Sequence, residues 1–293
     1  IRFSRYFWLY AFISGLILVP GIYSLVRFGL RPSIDFTGGT LLELSFDKPV
    51  AQSILSNVAQ NQGMSVASIQ QSGNNTFLLR IKPDGSEKVA GFERKVESEA
   101  SSTATILRNE TVGPVLGSEL LVKAFAAAIL AILCIFAYVA YAFKNIKFGA
   151  SAIVALIHDL LVVLSIFSLF GVWWGVEVDT LFVTAFLTTM SFSVHDTIVV
   201  FDRIREYRRR DDKTRFDELA DRALTETMGR SLTNSFTIIF MLLALILMGG
   251  ETVRWFVVAL LVGTVSGTYS SPFVATPILL LWDRWERRKT RHP

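Results

Sequence analysis

Six stretches of this chain are apolar for long enough to cross a lipid bilayer, and no other feature restricts its fold as severely. They cover residues 6–27, 120–143, 148–174, 180–201, 231–249 and 253–282, against the roughly 20 residues a helix needs to span a hydrocarbon core. Inside lipid every backbone N–H and C=O must be satisfied within the protein, so each stretch is expected to be a transmembrane helix. A 52% share of hydrophobic residues and a mean hydropathy of +0.46 agree, and they exclude an ordinary soluble domain. The first stretch is too long for a signal peptide and lacks a small-residue cleavage site, so it is expected to be a retained helix. The last is over-long and carries Pro272 and Pro277, which predicts a kink or a tilt.

Lysine and arginine in the short flanking segments set the expected orientation. Arg2 and Arg5 precede the first stretch and Lys144 and Lys147 separate the second from the third. Arg203 to Arg230 lie between the fourth and fifth, and Arg284 to Arg291 follow the last. All four groups fall on one side, so both termini are expected to be cytoplasmic. The net charge of +4 belongs to this asymmetry. No basic groove with interleaved aromatic residues is visible, so nucleic acid is not an expected partner, whereas the lipid bilayer is. Cys134 is the single cysteine, which rules out an intrachain disulfide, and no Cys/His cluster has the spacing of a zinc site.

The sequence divides into an N-terminus and first helix over 1–30, a polar domain over 31–117, five further helices over 118–282 with a cytoplasmic loop at 203–230, and a cytoplasmic tail at 283–293. Within the polar domain the periodicity predicts strand 39–46, helix 50–62, strand 65–71, a turn at 72–75 around Gly73, strand 76–82, helix 86–100 and strand 103–110. That order, βαββαβ, is the ferredoxin-like α+β plait, here extracytoplasmic and set between helices one and two. It contains no histidine and no closely spaced acid pair with nucleophile-and-base geometry. No catalytic residues, metal ligands or enzyme activity are expected.

One acid stands out. Asp196 lies well inside the fourth apolar stretch, where an ionised side chain costs ~2.5–3.5 kcal/mol on insertion scales, so a function is the first hypothesis. Thr189, Ser193 and Asp196 follow at i, i+4 and i+7, a polar stripe on one helical face with Thr197 beside it. The fifth stretch answers with Arg230, Thr233, Asn234 and Thr237 at i, i+3, i+4 and i+7. Chain direction puts the end of one helix and the start of the next at the same membrane side, so Arg230 is expected to reach Asp196, roughly 8–10 Å in at 1.5 Å per residue. Two plainer roles stay open: Arg230 as a snorkelling interface anchor and Asp196 as a hydrogen-bonded structural acid. Asp202, Arg203 and Arg205 read as interface charges. His158 and Asp159, neighbours in the third stretch, read as packing or hydrogen-bonding residues. Gly263 and Gly267, with Ser266 and Ser270 at the same spacing, read as a surface for close helix packing.

Several segments together closely resemble the SecF proteins of the SecD/SecF family, relatives of the RND transporters. Residues 34–40 read Ile-Asp-Phe-Thr-Gly-Gly-Thr, carrying Asp35, Thr37, Gly38 and Gly39; residues 112–117 read Val-Gly-Pro-Val-Leu-Gly; residues 155–159 read Ala-Leu-Ile-His-Asp. Residues 196–206, Asp-Thr-Ile-Val-Val-Phe-Asp-Arg-Ile-Arg-Glu, include Asp202 and Arg203 and are the most specific of the four. The resemblance implies half of an RND-like core, in the bacterial cytoplasmic membrane. Its implied partners are SecD, the SecYEG channel and the translocating preprotein. The implied role is to promote export with the proton-motive force, with protons as the coupling ion and no other cofactor. It matches Asp196 and Arg230 to the transmembrane acid and arginine associated with proton coupling. The lack of a Gly-x-x-x-x-Gly-Lys-Ser/Thr loop fits an ion-driven device.

The chain departs from the family where helix four commonly reads Gly-Tyr-Ser-x-Asn-Asp, since here residues 191–196 read Ser-Phe-Ser-Val-His-Asp. His195 either replaces the amide as a hydrogen-bonding group or joins a proton path. Two rival functions remain: a non-coupling structural clamp, and an RND-type exporter of small molecules or lipids. A plait of this size offers little room for a substrate pocket.

Overall fold

The computed structural model describes residue 3 and residues 6–71, 75–83, 88–211 and 213–291. Arg2, Arg5, most of the turn expected at 72–75 and the helix start expected at 86 lie outside the described residues. The chain forms two compact units, Pro32–Ala126 and a second built from Ile1–Arg31 with Ala127–Pro293.

The smaller unit contains the short helix α2 (Ile34–Thr37), β1 (Gly39–Phe46), α3 (Gln52–Asn61), β2 (Val66–Gln71), β3 (Thr76–Ile81), α4 (Val89–Ala100) and β4 (Ala104–Val112). The sheet order is β2-β3-β1-β4 with every neighbouring pair antiparallel, the topology of the predicted plait. Alternation places Leu42, Leu44 and Phe46 of β1 beside Phe77, Leu79 and Ile81 of β3, and the two helices close this face with Leu55, Val58, Phe92 and Val96. The register of β1 against β4 slips between Glu43 and Leu44, a bulge on the β4 strand.

The one-turn α2 was not expected from sequence. Ser33 caps it, its Oγ accepting from the Asp35 amide at 3.2 Å, while Thr37 Oγ1 donates back to the Ser33 carbonyl at 3.0 Å. Gly38 and Gly39 then turn the chain into β1 with φ of 74° and 128°. A Cβ on Gly39 would collide with the Ile81 carbonyl, so the second glycine is what lets β1 start against β3. A Cβ on Gly117 would lie 2.8 Å from the Phe36 carbonyl, a similar close approach.

Six helices are long and apolar enough to cross a membrane: α1 (Phe7–Phe28), α5 (Pro114–Phe143), α6 (Ile146–Trp174), α7 (Thr180–Arg210), α8 (Phe216–Met248), and α9 (Glu251–Ser270) continued through a π-turn into α10 (Thr276–Arg291). In the larger unit α6, α7 and α9 form the buried centre, with α1 against α6 and α8 against α7 and α9. Small residues permit this contact. A side chain on Gly21 of α1 would strike Ser165, and one on Gly263 would strike Thr189, while Gly267 backs onto Ser193 at 3.1 Å from its Cα. The packing role expected for Gly263 and Gly267 is therefore what the geometry gives.

Two expectations change. Residues 203–230, expected as a loop, are helical over 203–210 and 216–230, because α7 and α8 extend past their apolar parts as a charged hairpin. Arg203 pairs with Glu206 and Glu226, Tyr207 donates to Glu226 at 2.6 Å, and Asp211 closes the connection by accepting from Thr214. Likewise 283–291, expected as a tail, continue α10. Where the two prolines predicted a kink, the helix adopts a π-turn over Ser271–Ala275, the Thr276 amide reaching five residues back to Ser271.

Candidate functional site

Asp196 comes from the middle of α7 and is only partly buried. Its Oδ2 accepts a 2.5 Å hydrogen bond from Ser231 Oγ of α8. The acid lines a cavity of about 530 Å³ whose walls include His195, Arg230, Thr233, Asn234 and Thr237. A smaller cavity of about 240 Å³, also lined by His195, Asp196 and Asn234, opens towards Thr268 of α9. The expected α8 face is thus assembled as one polar wall, and Asp196 joins it.

Asp196 and Arg230 line the same cavity without a direct bond. Among the described residues no ion pair joins them; the arginine is exposed, and the acid bonds instead to Ser231, the next residue round the helix. Arg230 also lines a third cavity of about 520 Å³ with Asp202, Arg203 and Glu226. It therefore sits between Asp196 and the charged hairpin. α7 runs on past its apolar part to Arg210, so Asp196 lies about 21 Å from the helix end.

The α7 stripe divides as well. Thr189, Ser193 and Thr197, spaced i, i+4 and i+8, are buried, the first two against α9, and Thr197 shares a 2.9 Å hydroxyl contact with Ser271. Asp196 makes its hydrogen bond to α8. Thr233 and Thr237 satisfy their hydroxyls on their own helix, donating to the Gly229 and Thr233 carbonyls at 2.9 Å. They line the cavity without bridging helices. Asp202 and Arg203 belong to the charged end of α7, where Arg205 donates to Asp202 at 2.7 Å and to the Ala142 carbonyl at 2.8 Å. Asp35, Thr37, Gly38 and Gly39 shape the α2–β1 turn of the other unit, and their geometry there is structural.

Sequence reasoning missed Ser231. Its signal was a second α8 stripe, Ser231, Asn234 and Ser235, of which Ser235 accepts from Thr268 at 2.6 Å. Among the described residues no cluster of three His, Cys, Asp or Glu side chains is arranged to hold a metal ion.

A six-helix membrane protein with an α+β insert after its first span, and a mid-helix acid and an arginine lining one open cavity, defines the class. Comparison with known proteins gives the family. Residues 92–285 match the C-terminal model of the protein export membrane proteins SecD/SecF, and residues 23–50 match the SecD/SecF GG motif. The chain is 42% identical to the protein translocase subunit SecF of Thermobaculum terrenum over 94% of its own length and 92% of that protein. It is 40% identical to the subunit of the same name from Anaerolinea thermophila, over 96% and 94%. The crystal structure of SecDF, a translocon-associated membrane protein from Thermus thermophilus, superposes with a TM-score of 0.85 at 32% identity, covering 97% of this chain and 39% of that one. The chain belongs to the SecD/SecF family of multi-pass membrane proteins, and within it to the SecF translocase subunits.

Proposed function

We propose that this chain acts in the bacterial cytoplasmic membrane with a SecD-like partner beside the SecYEG channel, and promotes preprotein export using the proton-motive force. Both termini and the α7–α8 hairpin face the cytoplasm and the plait faces outward. The observation that carries the reading is Asp196: an acid in a membrane-spanning helix, bonded to Ser231, lining an open cavity that also holds Arg230. Ionised, it accepts from Ser231 and attracts the guanidinium; protonated, it no longer attracts it, and α7 and α8 settle differently. One charge crossing the membrane is worth ~2.3 kcal/mol per 100 mV. A few protons are enough to drive a substantial helix shift.

The open cavity also supports the partner assignment, because a polar wall facing lipid is costly and a second six-helix chain would cover it. A structural clamp is the alternative favoured by one observation, that Ser231 already satisfies the acid. Reconstitution with a SecD-like chain and SecYEG separates the readings. Coupling requires export that rises with an imposed proton gradient and falls with an uncoupler. Stimulation that survives the uncoupler would make the chain a clamp.

A further inference from the structure

His158 and Asp159 sit midway along α6, away from the cavity that holds Asp196, and they form the most enclosed ionisable pair in the bundle. Asp159 is 2% exposed, and its oxygens accept from Ser266 at 2.6 Å and Ser270 at 2.5 Å, both on α9. His158 Nδ1 lies 3.0 Å from Asp159 Oδ1, and Nε2 lies 3.0 Å from Ser14 Oγ on α1. One acid and one imidazole therefore join three helices. Among the described residues no lysine or arginine bonds to either side chain, so neither carries a fixed counter-charge.

The hydrogen bonds around Ser14 admit two proton counts. Tyr269 of α9 donates its hydroxyl hydrogen to the Tyr10 carbonyl at 2.9 Å, so its oxygen is left to accept, and Ser14 donates to it at 3.4 Å. When Ser14 gives its hydrogen there, it can only accept from His158, which requires a hydrogen on Nε2. The contact between Nδ1 and the carboxylate then needs one more proton, on the ring or on the acid. In that arrangement the pair carries an extra proton, as imidazolium and carboxylate or as imidazole and carboxylic acid. Remove that proton, leave the ring hydrogen on Nδ1, and Nε2 must accept. Ser14 then turns its hydrogen to the ring, and its bond to Tyr269 is lost.

We propose that His158 and Asp159 are a second proton-binding site of this chain, separate from Asp196, whose occupancy decides whether Ser14 ties α1 to Tyr269 of α9 or only to α6. The other titratable groups around it are few. Tyr269 of α9 lies with its ring 6.3 Å from the imidazole, and Tyr10 of α1, which meets Tyr269 through its carbonyl, is in electrostatic reach of Tyr6 and of Asp221 on α8. The ionisable pair of α7, His195 and Asp196, lines the cavities on the α8 side. Because α1 leads over a few residues into the α2–β1 turn, a proton at this site acts on the helix that carries the plait. The proposal stands whether or not Asp196 couples to the gradient.

The test uses the full chain assembled with its SecD-like partner in lipid nanodiscs, with ¹⁵N-labelled histidine rings followed by NMR and the carboxyl stretch followed by infrared spectroscopy. The His158 resonance is assigned by its loss in His158→Gln. Over the pH range in which the assembly stays folded, the His158–Asp159 pair is expected to gain or lose one proton. The same transition is expected in Asp196→Asn, and Asp159→Asn is expected to displace or abolish it. A ring and carboxyl that both keep one protonation state throughout in the otherwise native chain would overturn the proposal, independently of whether Asp159→Asn folds and of any result on export.

Discussion

Ser231 changes what Asp196 can be expected to do. A hydrogen bond to a charged group is worth about 1.5–3 kcal/mol, so this hydroxyl holds the acid against α8 whether or not Arg230 is near. The arginine lines the same cavity without an ion pair to the acid, which fits a partner engaged in only part of a cycle. Arg230→Met is therefore expected to remove most gradient-dependent export while leaving the chain's melting temperature nearly unchanged, and combining it with Asp196→Asn should add little, because both act on one step. Export rates of the two single variants and the double variant in proteoliposomes check this; losses that multiply would mean independent roles. Asp196 and the α8 polar stripe were legible in the sequence because an acid among apolar residues is conspicuous. The hydrogen-bonding role of His158 and Asp159 was legible too, but Ser231 and the serines that meet Asp159 were not, because serine is ordinary in such helices, and only the packed bundle reveals which faces of α8 and α9 meet which neighbours.

Among the elements, the contact of α7 with α9 is set by the absence of side chains. A methyl group on Gly263 would overlap Thr189, and overpacking of this kind costs typically ~1–3 kcal/mol. Gly263→Ala is expected to lower the thermal stability of the purified chain by about that amount, with partial recovery in Gly263→Ala/Thr189→Gly; no change in the melt would show that the helices separate freely. The connection of α7 to α8 gives a pH-dependent case. The Thr214 hydroxyl and amide hold the Asp211 carboxyl below its ordinary value. A group depressed on folding stabilises above its unfolded pKa, and that contribution is lost as the pH falls through the folded value. Hydrogen exchange at residues 211–215, corrected for intrinsic rates, should therefore increase on acidification, and Asp211→Ala should show the faster exchange already at neutral pH. Hydropathy concealed this hairpin because it registers charged helix ends as loop, although Arg203 and Glu206 already had helical spacing. The plait was legible from its alternation and turn residues. The one-turn α2 was not, being too short to have a period.

At the scale of the whole molecule, the six spans were readable because uncharged apolar runs of that length suit little besides a bilayer, but their packing leaves much of the bundle uncovered. α5 buries none of its most apolar window within the chain, and α8 exposes Phe240, Met241, Leu247 and Met248. Apolar faces of this kind suit lipid, whereas the wall around Arg230 and Asn234 does not, and it is there that the SecD-like partner is expected to bind. Orientation is tested by cysteine labelling in a background with Cys134 replaced: a cysteine at Ser72 should react only from outside and one at Asp211 only from the cytoplasm, and labelling of Ser72 from the cytoplasm alone would reverse the arrangement. If the proton-motive force acts through Asp196, as proposed, preprotein export by Asp196→Asn, assembled with its partners in sealed vesicles and measured with and without an imposed proton gradient, will show it. Asparagine keeps the size of the side chain and still accepts from Ser231, so normal assembly and normal gradient-independent export are expected, with the gradient-dependent increment abolished. A variant assembled at normal level whose export still responds fully to the gradient would contradict the claim.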